Sequence, residues 1–126
     1  MLAFLIALAA LLQDPSISAG RVKPPAAGVS STEAYVTILN PTTYDIEVTG
    51  ASSDAASTIE LRQAGRDAKL TGATVPAYGF LEMDAKGVYL LLKDLSKPLA
   101  GGDTVKLTIA TDIGAKLTVA AVVDKK

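Results

Sequence analysis

Few side chains in this 126-residue chain are suited to chemistry, and their types narrow the field at once. Cys, His and Trp are absent, and Met occurs only at Met1 and Met83. That removes thiol nucleophiles, Ser-His-Asp and Cys-His relays and the usual zinc ligands. Carboxylates remain. Glu82 and Asp84 stand two apart, as do Asp45 and Glu47. Such spacing suits acid–base work or a Ca²⁺ site, but a solvated strand face produces it too and is the favoured reading. Arg62, Arg66 and Lys69, with Asp67 among them, form a basic cluster that would receive an anionic partner or simply solvate a loop. Gly101-Gly102-Asp103 lacks the helix and Lys that follow a phosphate loop. The run Val88-Tyr89-Leu90-Leu91-Leu92 is left. In an extended strand Tyr89 and Leu91 share one face, and Val88, Leu90 and Leu92 the other.

The elements that position these residues read as strands. Ala34, Val36 and Ile38 alternate with Tyr35, Thr37 and Leu39 up to the turn signal Asn40-Pro41. Residues 44–49, 58–62, 105–109 and 117–123 alternate likewise, and Leu81 and Met83 share a face. Ile17 to Val22 fits a short edge strand ended by Pro24-Pro25, and Thr74 to Ala77 a short extended piece. Ala51 to Ser57 reads as a small-residue loop with room for one helical turn, and Gln63 to Gly72 as a polar loop. Helical periodicity is almost absent. The expectation is one all-β domain, a β-sandwich or small barrel of seven to eight strands.

Charge and leader bound the setting. Twelve basic residues face 13 acidic ones, which gives no electrostatic case for nucleic acid or an anionic membrane surface. Leu2 to Leu12 is an unbroken 11-residue apolar run. It is too short to span a bilayer, which takes roughly 20 helical residues, and has the length of a secretory h-region. No Lys or Arg precedes it, and the candidate cleavage sites after residues 9, 18 and 20 are imperfect. The reading takes 1–18 as a signal peptide and 19–126 as the domain, periplasmic or secreted, with no membrane contact after cleavage. No Cys follows the run, which on this reading excludes a lipoprotein anchor.

Several landmarks fall in order: Glu33-Ala-Tyr-Val-Thr-Ile-Leu-Asn40, Val48-Thr-Gly-Ala-Ser-Ser53, Val75-Pro-Ala-Tyr-Gly79 and Lys97-Pro-Leu-Ala-Gly-Gly-Asp-Thr-Val105. Over about residues 16 to 123 the chain resembles the periplasmic copper chaperones called PCu(A)C. The resemblance implies a cupredoxin-like antiparallel β-sandwich. It also implies a Cu(I) site of two His and two Met, soft ligands suited to that ion. The first His position falls on Arg62, and the final His-x-Met positions on Tyr89 and Leu91. The segment of the other Met holds none, and Met83 falls at a core position. The resemblance therefore implies the family without its Cu(I) ligands, and no cofactor. The face of Arg62, Tyr89 and Leu91 is then expected to meet a protein partner in copper handling or a small apolar ligand, or to be plain surface. The leading expectation is a monomeric, non-catalytic envelope protein. A β-sandwich adhesion or assembly module unrelated to metals is the alternative, and an enzyme has almost no support.

Overall fold

In a computed structural model the structure describes residues 14–125. The apolar run Leu2–Leu12 lies outside them, as does most of the expected leader. The described residues form nine strands and no helix: β1 (Ser16–Val22), β2 (Thr32–Leu39), β3 (Ile46–Ser53), β4 (Ala56–Gln63), β5 (Ala73–Val75), β6 (Phe80–Glu82), β7 (Val88–Leu95), β8 (Thr104–Thr111) and β9 (Lys116–Val123). β5 and β6, three residues each, take the number past the expected seven or eight.

The cupredoxin-like sandwich is present, and it is closed. The strand order β1-β9-β8-β3-β4-β7-β2 returns to its start because β2 also pairs β1. β5 pairs the first residues of β3, antiparallel, and β6 pairs β2 in line with β7. This corrects the expectation that residues 17–22 form an edge. β1 runs antiparallel to β2 and parallel to β9, and so seals the ring. A bulge between Ser18 and Arg21 lets one short strand serve both neighbours, with Ala19 at a φ of 54°. A Cβ at Gly20 would meet Ala121 at 3.1 Å, so Ala121 would have to give by a few tenths of an ångström to take a larger residue there.

The period-2 alternation becomes inside and outside. Val36, Ile38, Val48, Leu90, Leu92, Leu107 and Ile109 are buried, and Met83 joins them as a core residue. Ala51 to Ser57 departs from the sequence reading. β3 runs on to Ser53 and β4 starts at Ala56, so Asp54-Ala55 is a tight hairpin turn and no helical turn forms. Small Ala and Ser side chains have weak strand preference, and here ladder pairing with β8 decides the conformation (Ala51 with Ile109, Ser52 with Thr108).

Candidate functional site

The β4–β7 ladder carries the residues singled out. Its register sets Arg62 opposite Tyr89, Glu60 opposite Leu91 and Thr58 opposite Lys93. Residues paired across a ladder share a face, so these six side chains stand on the outer wall. Leu61, Leu90 and Leu92 alternate with them and turn inward, where all three are buried. On the other side of β7, Glu33 of β2 pairs Leu91. Leu91 therefore lies between two carboxylate-bearing positions, Glu33 and Glu60. The register brings Arg62 of β4 beside Tyr89 and Leu91 of β7, nearly 30 residues away in sequence.

Arg62 is held in place. One terminal nitrogen donates to Glu60 Oε1 at 3.0 Å and the other to the Asp67 carbonyl at 2.6 Å. Its Nε is buried with no acceptor. Lys93 Nζ reaches Glu60 Oε2 at 3.5 Å. The hydrogen bond from Arg62, aided by Lys93, holds the Glu60 carboxyl below its ordinary range. Of the basic cluster expected around the loop, Arg62 alone is committed to such contacts among the described residues; Arg66 and Lys69 are exposed.

Leu91 faces a cleft of about 510 Å³ that the sequence reading missed. Its far wall is the segment after β1, with Pro24, Pro25, Ala26 and Val29, and Glu33 lines it beside Leu91. Pro24-Pro25 was legible as a strand stop, but nothing local says that the stopped chain folds over β7. The loop is pinned by Lys23 N donating to the Glu33 carbonyl at 2.8 Å and by Thr32 Oγ1 donating to the Lys23 carbonyl. Beside the cleft, Tyr35 donates its hydroxyl to Glu33 Oε1 at 2.7 Å, with the Arg21 guanidinium 5.7 Å from its ring centre. Burial, and then the hydrogen bond to Glu33, push the Tyr35 phenol above the usual tyrosine range.

Three of the four paired carboxylates accept hydrogen bonds. Asp45 accepts from Ala77 N–H and Glu47 from Thr74 Oγ1, which ties β3 to β5 and the turn after it. Asp84 accepts from Lys86 N–H within its own turn. Among the described residues no group of three or more His, Cys, Asp or Glu converges to hold a metal ion.

The family and structure comparisons place this chain among known proteins. The model of the LpqE-like lipoprotein family matches residues 15–123. A comparison with curated protein sequences finds no match. Among solved structures, a copper-bound PCuAC domain from PmoF2 superposes with a TM-score of 0.80 at 18% identity, covering 90% of this chain and 95% of that one. An apo PCuAC domain from PmoF1 gives 0.82 at 15% identity, covering 90% and 96%. The Cu(I) form of DR1885 from Deinococcus radiodurans gives 0.67 at 28% identity, covering 89% and 77%. The first two establish the fold, and the third adds sequence likeness to it.

Proposed function

Because the chain belongs to the LpqE-like family, whose model spans 109 of its residues from 15 to 123, we propose that this copper-chaperone-like domain is an exported, non-catalytic accessory protein. It meets a protein partner through Arg62, Tyr89 and Leu91 and does not hold Cu(I) there. The observation that carries this reading is the fixed guanidinium opposite Tyr89. Cu(I) takes polarisable sulfur and imidazole, and these positions offer a guanidinium, a phenol and an aliphatic chain. A permanent cation locked in place repels a second one. The thioether of Met83 is buried in the core and supplies no substitute on the outer wall.

Export is supported by the apolar run and by the lipoprotein description of the family, although none of the 126 residues is a cysteine. A periplasmic or secreted location follows from that reading. We put processing before Ser16 and not at residue 18. A cut after residue 18 would remove three of the five partner pairs that join β1 to β2. Among the described residues the ring closes through β1, which pairs β2 along most of its length and β9 at Arg21–Val122 and Val22–Val123, and we read the domain as a monomer.

The test is anaerobic Cu(I) titration against a competing chelator, run beside partner capture from envelope extracts. The expected result is no binding that competes with the chelator, and capture lost in Tyr89→Ala/Leu91→Ser with unfolding unchanged. Affinity matching a loaded chaperone would overturn the copper statement. Unchanged capture would overturn the partner face.

A further inference from the structure

The segment Pro24–Val29 borders two clefts. One holds Leu91; the other, also of about 510 Å³, lies toward the end of β7. Pro25, Ala26 and Val29 form one wall of this second cleft. Leu95, at the end of β7, forms the other with Pro98 and Leu99 of the turn that follows. Its volume falls within the range of about 300–1,000 Å³ usual for small-molecule sites.

Hydrogen bonds fix both walls. Val29 N–H donates to the Ala26 carbonyl at 3.0 Å, closing a turn in which Gly28 takes a φ of 78°. Leu95 N–H donates to the Ser30 carbonyl at 2.9 Å, which ties the segment to β7. Ser96 is held twice at 2.9 Å, its N–H on the Ala55 carbonyl and its hydroxyl on the Asp54 carbonyl. Leu99 is buried, while Val29 is 48% exposed.

Charge and backbone together select the occupant. Lys97 is the only charged side chain lining this cleft, and among the described residues it makes no ion pair. The Leu91 cleft, by contrast, carries both Lys23 and Glu33. Pro25 and Pro98 have no N–H to offer, and those of Val29, Leu95 and Ser96 are already engaged. A peptide laid here would need main-chain partners for its own amides, and these walls supply few. A hydrocarbon chain needs none. We propose that this cleft binds a single-chain amphipathic carboxylate, a fatty acid, with its alkyl chain against Val29, Leu95 and Leu99 and its headgroup at Lys97. The site is separate from the Arg62, Tyr89 and Leu91 face and does not rest on the reading of that face.

Methyl NMR of the exported protein, titrated with decanoate below micelle formation, tests the site. The methyl resonances of Val29, Leu95 and Leu99 should move, and those of Leu107 and Ile109 in the core of β8 should not. Decyltrimethylammonium, with the same chain and the opposite charge, should bind roughly tenfold more weakly. Lys97→Gln should weaken decanoate roughly three- to fivefold, the worth of one exposed ion pair, without weakening decyltrimethylammonium. Val29→Ser should weaken both, because it acts on the chain. Both positions are exposed, so neither substitution threatens folding. Three results would overturn the proposal: unmoved methyls at Val29, Leu95 and Leu99, equal affinity for the two headgroups, or tighter binding of the peptide acetyl-Ala-Leu-Ala-Leu, with its free carboxylate, than of decanoate.

Discussion

Replacing Asn40 with Ala removes a buried amide that makes four hydrogen bonds. Nδ2 donates to the Tyr44 carbonyl at 2.9 Å and the Val75 carbonyl at 3.0 Å; Oδ1 accepts from Thr42 N–H at 3.0 Å and Thr42 Oγ1 at 2.6 Å. The bond to Val75 is wholly buried, so its carbonyl loses a partner that water cannot replace, at about 1–3 kcal/mol. The Thr42 and Tyr44 groups lie nearer solvent and regain water, so their loss adds about 1 kcal/mol together. The sum, about 2–4 kcal/mol, should lower the urea midpoint by roughly 2 M for a slope near 1.5 kcal/mol/M. When ionised, Asn40→Asp keeps both acceptances but loses both donations and buries a charge; when protonated it is neutral and has one O–H to donate. Its carboxyl should titrate above the ordinary range, so its stability is fullest below the unfolded pKa near 4 and falls as pH rises through the folded one. Asn40→Asp should therefore be more stable at pH 5 than at pH 7 relative to the parent chain. A loss under about 0.5 kcal/mol for Asn40→Ala, with an unchanged slope, would refute the idea that this amide holds the loops together.

Other expectations follow from the same residues. Leu90→Ala should cost about 2–5 kcal/mol in urea unfolding, and Leu91→Ser, on the outer wall, under about 1 kcal/mol; similar losses would mean the two faces of β7 are wrongly assigned. The Tyr35 phenol titrates above its unfolded value near 10, so its contribution is complete below that pH and lost as pH rises through the folded value. Alkaline melting should consequently destabilise the parent chain more steeply than Tyr35→Phe; parallel curves would refute the coupling to Glu33. The combined change Arg62→His/Tyr89→His/Leu91→Met should raise Cu(I) affinity in anaerobic titration, and no gain would show that these positions do not converge on an ion. Intact-mass measurement of the exported protein should find an N-terminus at or before Ser16; a start at residue 19 or later would refute the reading of β1 as part of the mature barrel.

Strand positions were legible wherever apolar and polar residues alternate, because side-chain direction repeats every two residues. Leu90 and Leu92 fall inside and Tyr89 and Leu91 outside, as the alternation requires. The closure at β1 was not legible, because it depends on partners about 20 and 100 residues away and on a bulge that no local pattern announces. Ala51 to Ser57 misled for a related reason. Residues with little strand preference take their conformation from the strands they pair with, and those lie elsewhere in the chain. Asn40 was legible as a turn signal beside Pro41, but its fourfold bonding depends on Val75 arriving from 35 residues downstream.

The candidate site divides in the same way. Alternation alone puts Tyr89 and Leu91 on one face, but it says nothing about what stands opposite. The β4–β7 register supplies that: residue numbers across the ladder sum to a constant from Gln63–Val88 through Ala56–Leu95, with no slip to move Arg62 away from Tyr89. A one-residue slip would have turned Arg62 toward the core, where an unpaired guanidinium is prohibitively costly, so the burial of Leu61 and Leu90 and the placement of Arg62 enforce one another. A Cu(I) ion at these positions would have to displace a guanidinium held by Glu60 and the Asp67 carbonyl, leaving that charge without its partners. Glu60, already engaged by Arg62 and Lys93, is a hard oxygen donor with little to offer such an ion. The wall that surrounds Leu91 is thus charged, paired and fixed, and the open apolar surface next to it is the Pro24–Val29 side of the cleft. A partner that reads this face has to insert an apolar group between Leu91 and that loop while leaving the Glu60–Arg62 pair intact, which makes Leu91 and not Arg62 the side chain whose loss should weaken capture most.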